Sequence, residues 1–386
     1  MRLIPAGVRH AFRRLEATPL LSLGAMLTLA LGIGSAVVMA DVLDRLLLRA
    51  PAHVVEPDRV ARVYVGGQGR SFMDRTDYGT FEALSGLHDE IEASAAFFSE
   101  PLSLGRGRTA RRVEAIAHSP GYFDVLGVRP TIGSWADAPN TPRENVAVIS
   151  HGLWQQEFGG SGDVLDKPLR LGLETYSIVA VAPRGFVGIG YKAADVWLPL
   201  DSRATAAFGT DWKQSALFLQ VIARLQPHAS RDRASERATA AYRATHTQPW
   251  QKSNLVAVAD LRPARGPGAP VGGRVEVLVT GMSILVLLIT CGNVANLLLV
   301  RGLRREREFR VKAALGATRA RLLREVLLDA ALLAAGAGAA ALVVVTTGGT
   351  LMRQVFMSPV AALQSPLDAR LLLVTVMVSV AAPFLL

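Results

Sequence analysis

The chain has 386 residues, half of them hydrophobic and 19% charged, with 42 Lys/Arg against 32 Asp/Glu and a formal charge of +10. At that length two or three domains are expected, and a high apolar content beside so many charges means that apolar residues are gathered in blocks. The basic excess does not point to nucleic acid: Asp41 to Arg274 holds 27 basic and 25 acidic residues, a net of +2, whereas a nucleic-acid footprint puts the charge on the folded domain.

Residues 1–19 carry Arg2, Arg9, Arg13 and Arg14 and read as a cytoplasmic N-terminal segment. Leu20 to Ala40 is an uncharged run of 21 residues, about the 20 needed to cross a bilayer as a helix. The competing reading is a cleaved signal peptide ending at Val38-Met39-Ala40. The run is longer than the roughly 7 to 15 apolar residues of such a peptide, which favours a retained first span. Residues 41–261 then lie outside and carry the pattern of an α+β domain. Val60 to Val65 and Val146 to Ile149 read as strands, Asp74 to Leu87 and His151 to Phe158 as helices. Pro168 to Leu173 and Thr175 to Ala182 read as a hairpin, Leu217 to Leu225 as a further strand, and Ser230 to Ala244 as a helix. About 220 residues suffice for one large or two small cores.

Residues 262–274 form a Gly/Pro-rich linker, and 275–300 a second span in which Asn293 and Asn296, three apart, share one helix face. Hydrogen bonding between packed helices is the reading favoured for this pair, at about 1 kcal/mol or less per bond in membranes; a polar transport path is the alternative. Residues 301–325 contain nine Lys/Arg against Glu306, Glu308 and Glu325, and loops of that kind stay in the cytoplasm. Glu306 precedes Arg310 by four residues and Glu308 precedes Lys312 by four, which supports a helix over 304–315. Gly316 suits its end and Thr318 the cap of the next. Charge alone leaves two uses open, a rigid lever and a loop that only sets topology. Residues 326–347 form a third span, 348–370 an outer loop, and 371–386, only 16 residues, a partial fourth, so the chain is expected to be cut short there or to be a short-ended copy.

The run CGNVANLLLVRGLRREREFRVKAALGATRARLLREVLLDAALL (Cys291 to Leu333) resembles the signature of FtsX-like permeases in the MacB branch of ATP-binding-cassette proteins. Tyr122-Phe123-Asp124-Val125-Leu126-Gly127-Val128, Val146 to Trp154, Phe158-Gly159-Gly160, Val179 to Pro183 and Asp195 to Pro199 resemble words of that branch's extracytoplasmic core domain. The set most resembles the first half of the duplicated orphan permeases of acidobacteria. The resemblance implies an α-helical membrane protein with a large extracytoplasmic α+β domain inserted between helices 1 and 2, in a four-helix FtsX-like topology with the fourth helix truncated, set in the inner membrane. It also implies that Arg307, Glu308, Phe309, Arg310, Lys312, Ala314, Gly316 and Ala317 dock on a separate ATPase; Phe309 stands where the family more often has glycine. Tyr122, Phe123, Trp154 and Trp197 are expected as core anchors rather than a ligand box.

No catalytic motif accompanies this pattern. None of the five lysines follows a glycine, as a Walker A loop requires, and neither His-Glu-x-x-His nor Gly-x-Ser-x-Gly occurs. The expectation is therefore a non-enzymatic permease subunit with no cofactor of its own, ATP being bound by a partner ATPase subunit. Membrane lipid, a second copy or second permease half, and an extracytoplasmic protein are its further expected partners; nucleic acid is not. The alternative is a membrane-anchored interaction or sensor protein without an ATPase.

Overall fold

The computed structural model describes residues 19–43, 51, 53–67, 71–107, 110–135, 145–190, 192–214, 217–261, 266–267 and 335–347, with single positions at 281, 285, 288, 289, 292, 311, 314, 318, 328 and 332. The chain divides into two units: Arg45–Arg274 with Arg353–Gln364, and Met1–Asp44 with Val275–Met352 and Ser365–Leu386.

In the second of these, helix α1 (Pro19–Leu43) starts on a proline, which has no N–H to leave unsatisfied there. Leu29, Ala30, Ile33 and Val37, at helical spacing, pack on Ala337, Ala341 and Val345 of the helix at 335–347. The backbones approach closely at Gly34, where a Cβ would lie 2.6 Å from Val344 Cγ1. Leu23, Leu27 and Leu31 are exposed, so α1 is apolar around its whole circumference, as a helix in a core or a membrane is. Counted over the described side chains alone, no helix is long and apolar enough to cross a membrane. The membrane assignment of Leu20 to Ala40 rests on its sequence.

The larger unit is built on one ten-stranded sheet. β1 (Val60–Gly67) is buried throughout and leads through α2 (Tyr78–Ser85) to β2 (Ile91–Leu104). The chain then makes β3 (Arg111–His118), α3 (Tyr122–Leu126), β4 (Ile132–Gly133), β5 (Val146–Ile149) and α4 (His151–Phe158). β6 (Pro168–Leu171), β7 (Glu174–Val181), β8 (Val196–Pro199) and α5 (Leu200–Phe208) follow, and then β9 (Gln220–Leu225), α6 (Arg231–Thr245) and β10 (Asn254–Asp260). The strand order is β10-β1-β9-β2-β3-β8-β5-β7-β4, with β6 pairing β7 and touching β2.

The first four strands in that order, with α2 and α6, form a split βαβ motif: β1 and β10 pair antiparallel, as do β1 with β9 and β9 with β2. Everything from β3 to α5 is inserted between its second and third strands. β2 holds the two parts together because its first half pairs β9 and its second half pairs β3. Alternation along β2 sends Ala96 and Phe98 into the cluster under α2 and α6, and Ala95 and Phe97 to the opposite face. That opposite cluster holds Tyr122, Phe123 and Trp197, all buried. Trp154 is half-buried against a third cluster, built on β5, β7 and β8.

The expected elements recur with shifted ends. The hairpin turns through Gly172-Leu173, with Gly172 at φ 60°, where glycine carries no Cβ penalty. The helix expected from Asp74 begins only at Tyr78, because Met73 and Thr76 bridge to Val65 and Leu219 and Asp77 takes the cap position.

Candidate functional site

Three arginines fasten the inserted part to the split βαβ core. Arg62, on β1, is 1% exposed; its Nη2 donates to Ile189 O at 2.7 Å and its guanidinium lies 5.5 Å above the Phe97 ring, with Asp74 Oδ2 3.7 Å from Nη1. Arg224, on β9, donates to Val125 O and Val55 O, both at 2.9 Å. Arg203, on α5, donates from Nε to Glu100 Oε1 at 2.8 Å and from Nη1 to Glu174 Oε2 at 3.0 Å. Burial works against the Arg203 charge, and the hydrogen bond and charge of Glu100 outweigh it, so its pKa rises. Burial and the bond to Glu174 push the Tyr176 hydroxyl up as well. These groups act as fasteners.

Among the described residues the histidines do not gather. His118 packs between the rings of Tyr122 and Phe123 at 5.2 and 5.1 Å, and loss of water there lowers its pKa to about 4, against a weaker upward pull from its bond to Ser119 O. His246 Nε2 meets Asp77 Oδ2 at 2.9 Å, and His53 Nε2 meets Arg184 O at 2.7 Å. Among the described residues no cluster of His, Cys, Asp or Glu could hold a metal ion.

Among the described residues, a groove of about 360 Å³ runs along the seam between core and insert. Phe98, Phe208 and Phe218 line it; Phe208 and Phe218 lie 4.2 Å apart between centroids, and each stands edge-on to Phe98 at 5.6 and 5.3 Å. Arg62, Arg75, Ser99, Gln220 and the Lys192–Glu114 ion pair (3.0 Å) supply its polar lining, with Pro101 and Gly190 beside them. Sequence reasoning did not find it. Its residues come from seven separated segments, at 62, 75, 98–101, 114, 190–192, 208 and 218–220, and the one-dimensional hint is the aromatic density of Phe208, Trp212 and Phe218.

Of the residues expected to engage an ATPase, Ala314 is described: it is helical and exposed, as is Val311 three positions earlier, while Thr318 is exposed and outside the helix. Arg307, Glu308, Phe309, Arg310, Lys312, Gly316 and Ala317 lie outside the described residues, as do Asn293 and Asn296.

Residues 22–241 match the MacB-like periplasmic core domain, and residues 280–386 match the FtsX-like permease C-terminal domain. The macrolide export ATP-binding/permease proteins MacB of Salmonella typhi and Salmonella typhimurium are each 21% identical over 248 residues, covering 63% of this chain and 36% of their own length. The aligned part is thus about a third of those relatives. Among solved structures, a domain of a putative permease from Porphyromonas gingivalis aligns over 55% of this chain and 92% of its own at 18% identity, TM-score 0.42. The periplasmic region of MacB from Actinobacillus actinomycetemcomitans aligns over 56% and 91% at 13% identity, TM-score 0.41. With the core-domain match covering more than half of its length, the chain belongs to the family of MacB-like periplasmic core domain proteins and, with its FtsX-like C-terminal part, is an FtsX/MacB-type permease.

Proposed function

We propose that this chain is the membrane subunit of an ATP-binding-cassette export or mechanotransmission system. A separate ATPase on the cytoplasmic side binds and hydrolyses ATP, and this chain, without cofactor or catalytic chemistry of its own, carries the resulting motion to the extracytoplasmic domain. Residues 20–40, 275–300, 326–347 and 371–386 cross the inner membrane in this reading, and 41–261 stand outside.

The observation that carries the reading is the 301–325 segment, which falls inside the FtsX-like match and concentrates nine basic residues in a short stretch. Helical geometry at Val311 and Ala314, ending before Thr318, supports a helix followed by a break. In this reading a charged helix that stops near Gly316 takes up the push of the ATPase. The macrolide export relatives carry both ATP-binding and permease functions by name, and this chain matches the periplasmic core and FtsX-like permease models.

The test reverses charge at Arg307, Arg310 and Lys312 together. Copurification of a candidate ATPase is expected to fall at least tenfold, with loss of any stimulation of its turnover. Unchanged copurification and turnover would overturn the coupling role and leave a membrane-anchored interaction protein as the reading.

A further inference from the structure

We propose that the groove between the split βαβ core and its insert binds a small apolar carboxylate. This goes beyond the ATPase-coupling reading and does not rest on it.

Three rings form one wall. Phe208 is 47% exposed although it packs on Phe98 and Phe218, so the face of one ring is left open to water at the mouth of a concavity whose wall is otherwise apolar, the setting in which small ligands are held. The charges lining the same space are not equivalent. Lys192 is satisfied by Glu114 at 3.0 Å, and Arg62 is held by Ile189 O and faced by Asp74. Asp74 is also engaged by Gln220. Arg75 is exposed and has no hydrogen bond or ion pair among the described residues. One cation is therefore left over, and guanidinium is the group whose paired N–H bonds match a planar carboxylate.

The strand geometry adds a donor. β9 pairs β2 only as far as Phe97, and β6 meets β2 again only at Leu104. Ala96 exchanges its backbone bonds on the β3 side, with Ser119. By the alternation of an antiparallel ladder, the N–H of Ser99 then faces the side that β9 has left. Pro101, the next residue facing that way, has no N–H to offer. The opening thus presents Arg75 and Ser99 N–H to an anion, beside three rings for its apolar part. At about 360 Å³ it lies at the small end of ligand cavities, which run from about 300 to 1,000 Å³, so a bicyclic or short branched acid fits and a long acyl chain does not.

Isothermal titration of the full chain in detergent with 2-naphthoate tests this, with 2-naphthalenemethanol as the neutral counterpart and each ligand also titrated into detergent alone. Saturable binding of 2-naphthoate at one site per chain is expected. Arg75→Gln is expected to weaken it at least tenfold and to leave the weaker binding of the alcohol unchanged. Phe208→Ser is expected to weaken both ligands, and Leu173→Ser, at an exposed hairpin tip outside the groove, neither. Absence of saturable 2-naphthoate binding overturns the proposal. So does an affinity that Arg75→Gln leaves unchanged, or one that Leu173→Ser lowers as much as Phe208→Ser. No ATPase enters the assay, so its failure leaves the coupling reading untouched.

Discussion

Asp77 Oδ2 lies 2.9 Å from His246 Nε2, joining the cap of α2 to the residue that closes α6, 169 positions later. The other carboxylate oxygen of Asp77 accepts from Thr80 N at 2.7 Å and from Thr80 Oγ1 at 2.9 Å. One side chain thus starts a helix and fixes a second helix beside it. Losing a cap costs about 1 kcal/mol, and losing a buried hydrogen bond about 1 kcal/mol more. Asp77→Ala is therefore expected to destabilise the domain by about 2 kcal/mol, and Asp77→Asn, which keeps a capping oxygen, by about half as much. Thermal unfolding of the full chain followed by circular dichroism checks the order; equal midpoints for both variants and the parent would contradict it.

Arg62 gives a larger effect. Its removal leaves Ile189 O without its donor in a buried site and strips the cation from the Phe97 ring. Arg62→Ala is expected to cost about 2 to 4 kcal/mol, from a buried acceptor left unpaired and the cavity that the side chain leaves. Arg62→Lys does not restore stability, because an ammonium cannot reach Ile189 O, Leu261 O and Asp74 at once as the fork does. Limited proteolysis of the two variants is the measurement, and parent-like resistance in Arg62→Lys would refute the geometric part.

His118 sets a pH dependence. Its folded pKa of about 4 lies below the unfolded value of about 6.5. The unfolded state then binds more protons between these values, so stability is complete above about pH 6.5 and falls as pH drops toward 4. His118 as a residue is half-buried, which limits the loss to about 2 kcal/mol. His118→Phe keeps the aromatic contacts with Tyr122 and Phe123 and is expected to flatten the decline over that window. A decline as steep in His118→Phe as in the parent would assign it to other groups.

In the other unit, Gly34 faces Val344 so closely that a Cβ would sit 2.8 Å from Val344 Cβ. Gly34→Leu is expected to cost about 1 to 3 kcal/mol by overpacking, and adding Val344→Ala is expected to recover part of it. Melting of both variants in detergent decides the matter; a double variant no better than Gly34→Leu alone would show that the two positions are not in contact.

The sequence disclosed those elements whose signals are local. Val146 to Ile149 and His151 to Phe158 are bounded as expected because a β-branched run is followed by Ser150, whose Oγ caps the helix, and by Gly159 in the left-handed region. β2 escaped notice although it organises the sheet. Its sequence, IEASAAFFSEPLSL, is rich in Ala and Ser, contains Pro101, and is buried on both faces only near its middle, so no period-2 pattern runs through it. β10 alternates well but lies just before the linker, and its place beside β1 is a contact across the whole domain. The groove was illegible for the same reason: Arg75, Ser99, Lys192, Phe208 and Phe218 become neighbours only through the sheet order. The reading of 301–325 rests on charge and helix spacing written within 25 consecutive residues, of which the structure describes Val311, Ala314 and Thr318.

β2 is a single 14-residue strand, about 45 Å from end to end at the usual rise. It has no glycine, and no loop interrupts it where it passes from one partner to the other. Core and insert therefore share one strand as a common floor beneath the groove, paired to β9 on one half and to β3 on the other, and that floor has no linker at which the two parts could part.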